Sequence, residues 1–255
     1  MSVVIEFRSV TVATPQGRRL LDGISLSVEE GSTTVLLGRS GSGKTTLLRT
    51  VNRLITPTSG HVLVNGIPVE DVDLIDLRRG IGYVIQETGL FPHFTVERNV
   101  GLVQEAKGCA PAERVERSKQ LLTGVGLDPH TFAQRYPHQL SGGQRQRVGL
   151  ARALAADPRI LLMDEPFGAL DPLTRGEMQE MLGSLLRQLR KTVLLVTHDL
   201  DEALYLGDRI VLVAEGRVVA DLGRDEFLNS EQPEIGAYVR AFHRRENHAD
   251  RVRAH

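Results

Sequence analysis

Apolar residues along the 255-residue chain fall in runs of four or five, separated by glycine-rich turns and by longer stretches with helical spacing. Val3–Phe7, Ile24–Val28, Thr33–Leu37, His61–Val64 and Ile81–Ile85 read as strands, and so do Ile160–Met163, Val193–Thr197, Arg209–Ala214 and Arg217–Ala220. Glu215-Gly216 between the last two is a hairpin-type turn. The early strands follow one another without helices, which predicts an antiparallel sheet. From residue 33 onward helices alternate with strands, which predicts a mostly parallel α/β core. From 87 to 156 there is no convincing strand, only helical stretches at Val96–Gln104, Pro111–Val125 and Gln144–Ala156, broken at Gly108 and Pro137. This segment reads as a helical insertion into the core. The expected organisation is therefore one domain over 1–230 followed by a basic tail over 231–255. The tail is rich in Arg and His from Arg240 to His255 and reads as a solvated surface helix or frayed end.

Composition narrows the function only by exclusion. The apolar fraction of 41% and charged fraction of 25% are ordinary globular values. Lys plus Arg number 31 against 32 Asp plus Glu, and this balance argues against a nucleic-acid binder. Cys109 is the single cysteine, so an intramolecular disulfide is excluded and a reducing, intracellular compartment is expected. The longest apolar runs fall far short of the roughly 20 residues of a membrane span, and Met1–Arg8 lacks the apolar stretch of a leader. Work at a membrane would go through a partner.

The chemistry begins at Gly38-Arg39-Ser40-Gly41-Ser42-Gly43-Lys44-Thr45, a G-x-x-x-x-G-K-[ST] loop followed by Thr46, after a strand and before a helix. Glycines let backbone N–H groups curl round a phosphate, and the helix N-terminus adds partial positive charge. Lys44 suits the terminal phosphates, and the Thr45 hydroxyl suits Mg²⁺. A second element, Asp164-Glu165, caps the strand Ile160–Met163. Asp164 can hold Mg²⁺, and Glu165 can orient or deprotonate a water. The third, Leu140-Ser141-Gly142-Gly143-Gln144, has the spacing of a capping box and leaves backbone N–H groups bare at a helix start.

With this third element the sequence resembles the ATP-binding-cassette (ABC) ATPases over about residues 3 to 225. The resemblance implies a head-to-tail homodimer in which ATP on one subunit's loop is completed by Ser141, Gly142, Gly143 and Gln144 of the other. It makes Gln86 the glutamine that senses Mg²⁺ and the attacking water, Asp171 in Ala169-Leu170-Asp171 an interface residue, and His198 the switch histidine at the γ-phosphate. The implied cofactors are ATP and Mg²⁺. An aromatic residue expected near position 14 to stack on adenine is replaced by Thr14-Pro15, leaving Pro15, Arg18 or Arg19 to cover the base.

Finer stretches, among them Ile81–Gln86, Gly89–His93, Arg135–His138 and Asp164–Pro172, are similar to the osmoprotectant branch, whose members energise uptake of quaternary amines such as glycine betaine. The resemblance implies integral-membrane permease subunits, indirectly an extracytoplasmic solute-binding protein, a peripheral place on the cytoplasmic face of the membrane, and no nucleic acid. Leu90, Phe91 and Phe94 are the expected permease contact. Many relatives carry a C-terminal pair of regulatory domains; with about 30 residues after Asp225, that pair is expected to be missing here. An importer of another solute, such as an amino acid, is the alternative.

Overall fold

The computed structural model describes residues 2–86, 88–236 and 238–240. In chain order the elements are β1 (Val3–Ala13), β2 (Arg19–Glu29), β3 (Thr33–Leu37), α1 (Lys44–Val51), β4 (Ser59–Val64), β5 (Ile67–Pro68), α2 (Leu74–Arg79) and β6 (Ile81–Val84). There follow α3 (Val96–Ala106), α4 (Pro111–Gly124), α5 (Pro129–Phe132), α6 (Gly142–Leu154) and β7 (Ile160–Asp164). The chain continues with α7 (Pro172–Leu189), β8 (Thr192–Thr197), α8 (Leu200–Leu206), β9 (Arg209–Ala214), β10 (Arg217–Gly223) and α9 (Arg224–Leu228).

Among the described residues the strands form two sheets. One is antiparallel, in the order β2-β1-β4-β5. The other runs β10-β9-β3-β8-β7-β6, parallel from β9 to β6 with β10 as an antiparallel edge. The central strands are apolar without alternation because both faces of their sheet are covered. Leu36, Leu162 and Val196 face the antiparallel sheet and α1 together with Phe7, Leu26, Leu47 and Leu48. Val35, Leu161 and Leu195 face α6 to α8 together with Val148, Leu182 and Ala203. Between β6 and β7 the chain runs through α3 to α6, and Val96, Val100, Leu122 and Leu140 close a core against Val148 on α6.

Three departures from the expected elements have physical causes. β1 and β2 run well past Phe7 and start well before Ile24, because their pairing contains register shifts, with Ser9 at φ +51°, that break the period-two pattern. β5 is two residues long, too short to leave a pattern. The expected tail over 231–255 is not solvated throughout: Ile235 is fully buried in the core cluster that also holds Leu200, Ala203 and Phe227, and Tyr238 and Val239 pack against it. The Arg- and His-rich residues after Arg240 lie outside the described residues.

Candidate functional site

The parallel sheet brings four sequence-distant strand ends to one edge, the carboxyl edge at which open α/β sheets bind ligands. In spatial order these are β3 with the loop 38–43, β8 with His198, β7 with Asp164 and Glu165, and β6 with Gln86.

Two glycines fix the loop. A Cβ on Gly38 would lie 2.2 Å from the Val213 carbonyl oxygen, and one on Gly43, at φ +105°, would lie 2.8 Å from that of Leu20. Only glycine fits either place. The Gly216 N–H donates to the Ser42 carbonyl at 3.0 Å, which ties the loop to the β9–β10 turn. Lys44 opens α1 with only 4% of its surface exposed. Its ammonium donates to the carbonyls of Gly38 and Arg39, both at 2.8 Å, and to the Ser42 hydroxyl at 3.4 Å. Burial pushes the Lys44 pKa down, while the Glu165 and Asp164 carboxylates act in the opposite sense. Both acids therefore face the same ammonium. Gly41, Arg39 and Ser40 are exposed at the loop's tip, and Thr46 is half-buried on α1.

The Thr45 hydroxyl donates to Asp164 Oδ1 at 2.6 Å. Asp164 Oδ2 accepts from Arg49 Nη2 at 3.3 Å and from the Tyr83 hydroxyl at 3.4 Å. Burial raises the Tyr83 pKa and keeps the phenol a donor. Arg49 and Tyr83 were missed at the level of sequence. Arg49 lies four residues after Thr45 on one helix face, which is a usable signal. Tyr83 could be found only by knowing that β6 lies beside β7.

Glu165 follows β7 with φ +44°, a left-handed conformation uncommon outside glycine, and its N–H donates to the Val196 carbonyl at 3.0 Å. This backbone turn takes the side chain out of the sheet. Glu165 Oε2 stands 3.3 Å from His198 Nδ1. Gln86 is exposed; a Cβ on Gly168 would lie 3.4 Å from Gln86 Nε2 and 3.5 Å from Glu165 Oε2, so both side chains border one small residue. Asp164, Glu165, His198, Gln86, Lys44 and Thr45 thus meet at one sheet edge.

Ser141, Gly142, Gly143, Gln144 and Asp171 do not join them within the chain. Ser141 caps α6: its hydroxyl accepts from the Gln144 N–H at 3.2 Å, and the Gln144 side chain accepts from the Ser141 N–H at 2.9 Å. Asp171 caps α7 through the Thr174 N–H at 3.1 Å. Among the described residues no hydrogen bond or ion pair links either cap to the Lys44 loop. Both caps are exposed, and beside Asp171 the apolar side chain of Leu173 is 76% exposed. The first turns of α6 and α7 lie against each other, since a Cβ on Gly143 would crowd Thr174 Cγ2.

Thr14 closes the turn between β1 and β2, its hydroxyl accepting from the Arg18 N–H at 3.3 Å. Arg19 and Arg217 both pair with Asp22. Of the expected contact residues in the insertion, Leu90 packs into the core, whereas Phe91 is exposed and stacks on Phe94 with centroids 5.2 Å apart.

The donor set at Thr45 and Asp164 fits Mg²⁺, which takes hard oxygen ligands and is usually held by one or two protein groups plus phosphate. Among the described residues no group of three or more His, Cys, Asp or Glu forms a closed metal cage, and this ion needs none. No described helix is long and apolar enough to cross a membrane.

The ABC transporter family profile matches residues 21–168. The chain is 49% identical over 225 residues to the osmoprotectant import ATP-binding protein OsmV of Salmonella typhimurium, covering 88% of this chain and 59% of that protein. It is 44% identical over 232 residues to the glycine betaine/carnitine/choline transport ATP-binding protein OpuCA of Bacillus subtilis, covering 91% and 61%. The chain thus spans about three fifths of these relatives' length. Among solved structures, an ATP-binding cassette captured as a post-hydrolysis dimer with ADP and phosphate superposes with a TM-score of 0.78 at 36% identity, covering 86% of this chain and 98% of that one. The fold, the joined site and these likenesses agree, and the chain belongs to the ABC transporter family.

Proposed function

We propose that this chain is the ATP-hydrolysing subunit of an importer for an osmoprotectant or quaternary amine such as glycine betaine. The observation that carries the reading is the meeting of Lys44, Thr45–Asp164 and Glu165–His198 at one sheet edge. The printed functions of the relatives named above support the solute class and the transport role.

In this reading the N–H groups of Gly41 to Thr45 and the Lys44 ammonium hold the β- and γ-phosphates, with the α1 N-terminus adding roughly half a positive charge. Thr45 and Asp164 hold Mg²⁺, with Gln86 as a further oxygen donor, and the ion when bound neutralises charge on the phosphates. Glu165 accepts a proton from the attacking water at its carboxylate, and His198 beside it orients water and γ-phosphate. Ser141, Gly142, Gly143 and Gln144 of a second copy, with Asp171 at the interface, complete the nucleotide site. The exposure of Ser141 and Asp171 at their helix tips and the bare Leu173 side chain support such a partner face. The closed dimer is favoured only while γ-phosphate is present, so binding and hydrolysis alternate two states. The permease docks beside Phe91 at the cytoplasmic membrane face, and a separate extracytoplasmic protein delivers the solute.

The test is uptake of labelled glycine betaine by cells carrying the whole complex with this chain or its Glu165→Gln variant. ATP-dependent uptake only with the former supports the reading. Equal uptake by both removes Glu165 from the reaction, and ATP hydrolysis without uptake of any quaternary amine removes the solute class.

A further inference from the structure

The segment after Gln232 reaches the hydrolytic edge. Residues 233–236 and 238–240 are helical, and Ile235 anchors them: it is fully buried, in the same core cluster as Leu200, Ala203 and Phe227. Leu200 and Ala203 belong to α8, the helix that begins two residues after His198. From this anchor the Tyr238 hydroxyl donates to the His198 carbonyl oxygen at 2.9 Å.

The neighbouring residues are already held from inside the loop. The Thr197 hydroxyl donates to the buried Glu202 carboxylate and accepts from the Asp199 N–H at 3.0 Å. The Asp199 carboxylate in turn caps α8 through the N–H groups of Asp201 and Glu202. The backbone is therefore pinned on both sides of His198. The His198 carbonyl is held from a segment forty residues away. The imidazole itself is half exposed, with the Glu165 carboxylate at 3.3 Å. Its aim depends on its backbone more than on side-chain packing.

We infer that Tyr238 is a positioning residue for His198, and that residues 233–236 and 238–240 act as a latch through which this part of the chain sets the geometry of hydrolysis. The inference rests on the proposed role of His198 and adds a residue that lies outside the profile match at 21–168. Coupling of this kind is reciprocal: whatever displaces the segment loosens His198, and whatever fixes His198 at a γ-phosphate tightens the segment.

The test compares the full chain with its Tyr238→Phe variant, which keeps the ring and loses the hydroxyl. Amide exchange across residues 197–206 is expected to quicken about two- to tenfold, the range one neutral hydrogen bond supports. Steady-state turnover with Mg·ATP is expected to fall by a similar factor with KM unchanged. Unchanged exchange across 197–206 overturns the latch, because the contact then holds nothing. A turnover loss no larger than the loss of folded protein in a melting curve overturns the positioning role. A parallel His198→Ala variant separates the two readings. If it hydrolyses ATP at the wild-type rate, the role of His198 fails, while the exchange comparison still decides whether Tyr238 holds the loop.

Discussion

The imidazole of His198 stands 3.3 Å from the carboxylate of Glu165, at the ends of adjacent parallel strands. The left-handed backbone of Glu165 is what turns its side chain toward this partner. In the proposed reading this carboxylate is the base that takes a proton from the attacking water. Glu165→Gln is expected to keep ATP binding and to lower turnover by about 100-fold or more, the range for loss of a general base. Phosphate release and nucleotide titration measure the two separately, and ATP should shift the variant toward a dimer in size-exclusion chromatography. Turnover within a few-fold of wild type would exclude this role.

Lys44→Ala removes the charge proposed to meet the phosphates and takes the ammonium donor from the buried Gly38 carbonyl, while the Arg39 carbonyl keeps the Ser42 N–H at 3.2 Å. Nucleotide binding should be lost. The nucleotide-free variant should also be less stable by about 1–3 kcal/mol, as expected for buried polar groups left unpaired. Calorimetric titration and thermal melting check the two effects.

Gly143→Ala places a methyl 2.4 Å from Thr174 Cγ2. Overpacking of this kind costs about 1–3 kcal/mol. The variant is expected to melt lower, and adding Thr174→Ser, which deletes that methyl, is expected to restore the midpoint. Failure of the double variant to recover would mean that α6 and α7 are not joined at this point.

Glu202 is buried, and desolvation raises its carboxyl above the ordinary 4.5, opposed by the Thr197 hydroxyl. A carboxyl whose folded pKa is raised contributes stability fully present below its unfolded pKa and lost as pH rises through the folded value. Glu202→Gln has no charge to bury. Its melting midpoint relative to wild type should therefore improve steadily as pH climbs above about 4.5, and a difference independent of pH would contradict the assignment.

Thr14→Tyr supplies the aromatic face absent from the turn between β1 and β2. An aromatic contact of about 0.5–1.5 kcal/mol tightens binding by up to about tenfold. An unchanged or weaker ATP dissociation constant would show that the base lies elsewhere.

Much of this architecture was legible before any coordinates. β3 and β9 have the bounds their apolar runs suggest, because short buried strands flanked by glycine or charge leave little ambiguity. The loop at Lys44 and the pair Asp164-Glu165 were legible because their chemistry demands particular residue types at fixed spacing. What remained hidden depends on neighbours distant in sequence. Tyr83 reaches Asp164 only because β6 lies beside β7. Arg152 shows no motif of its own, yet it donates to the Thr88 and Gly89 carbonyls and ties the turn after Gln86 to α6. The capping box at Ser141 and Gln144 is local chemistry that the sequence spells out, and that chemistry gives no hint that Gly143 must also make room for Thr174.

The ammonium of Lys44 is sequestered by its own loop, which supplies two carbonyls and the Ser42 hydroxyl as acceptors. Its dehydration therefore belongs to folding. In the proposed reading a phosphate would meet a cation already stripped of water, and more of the energy of capture would remain for bringing two cassettes together.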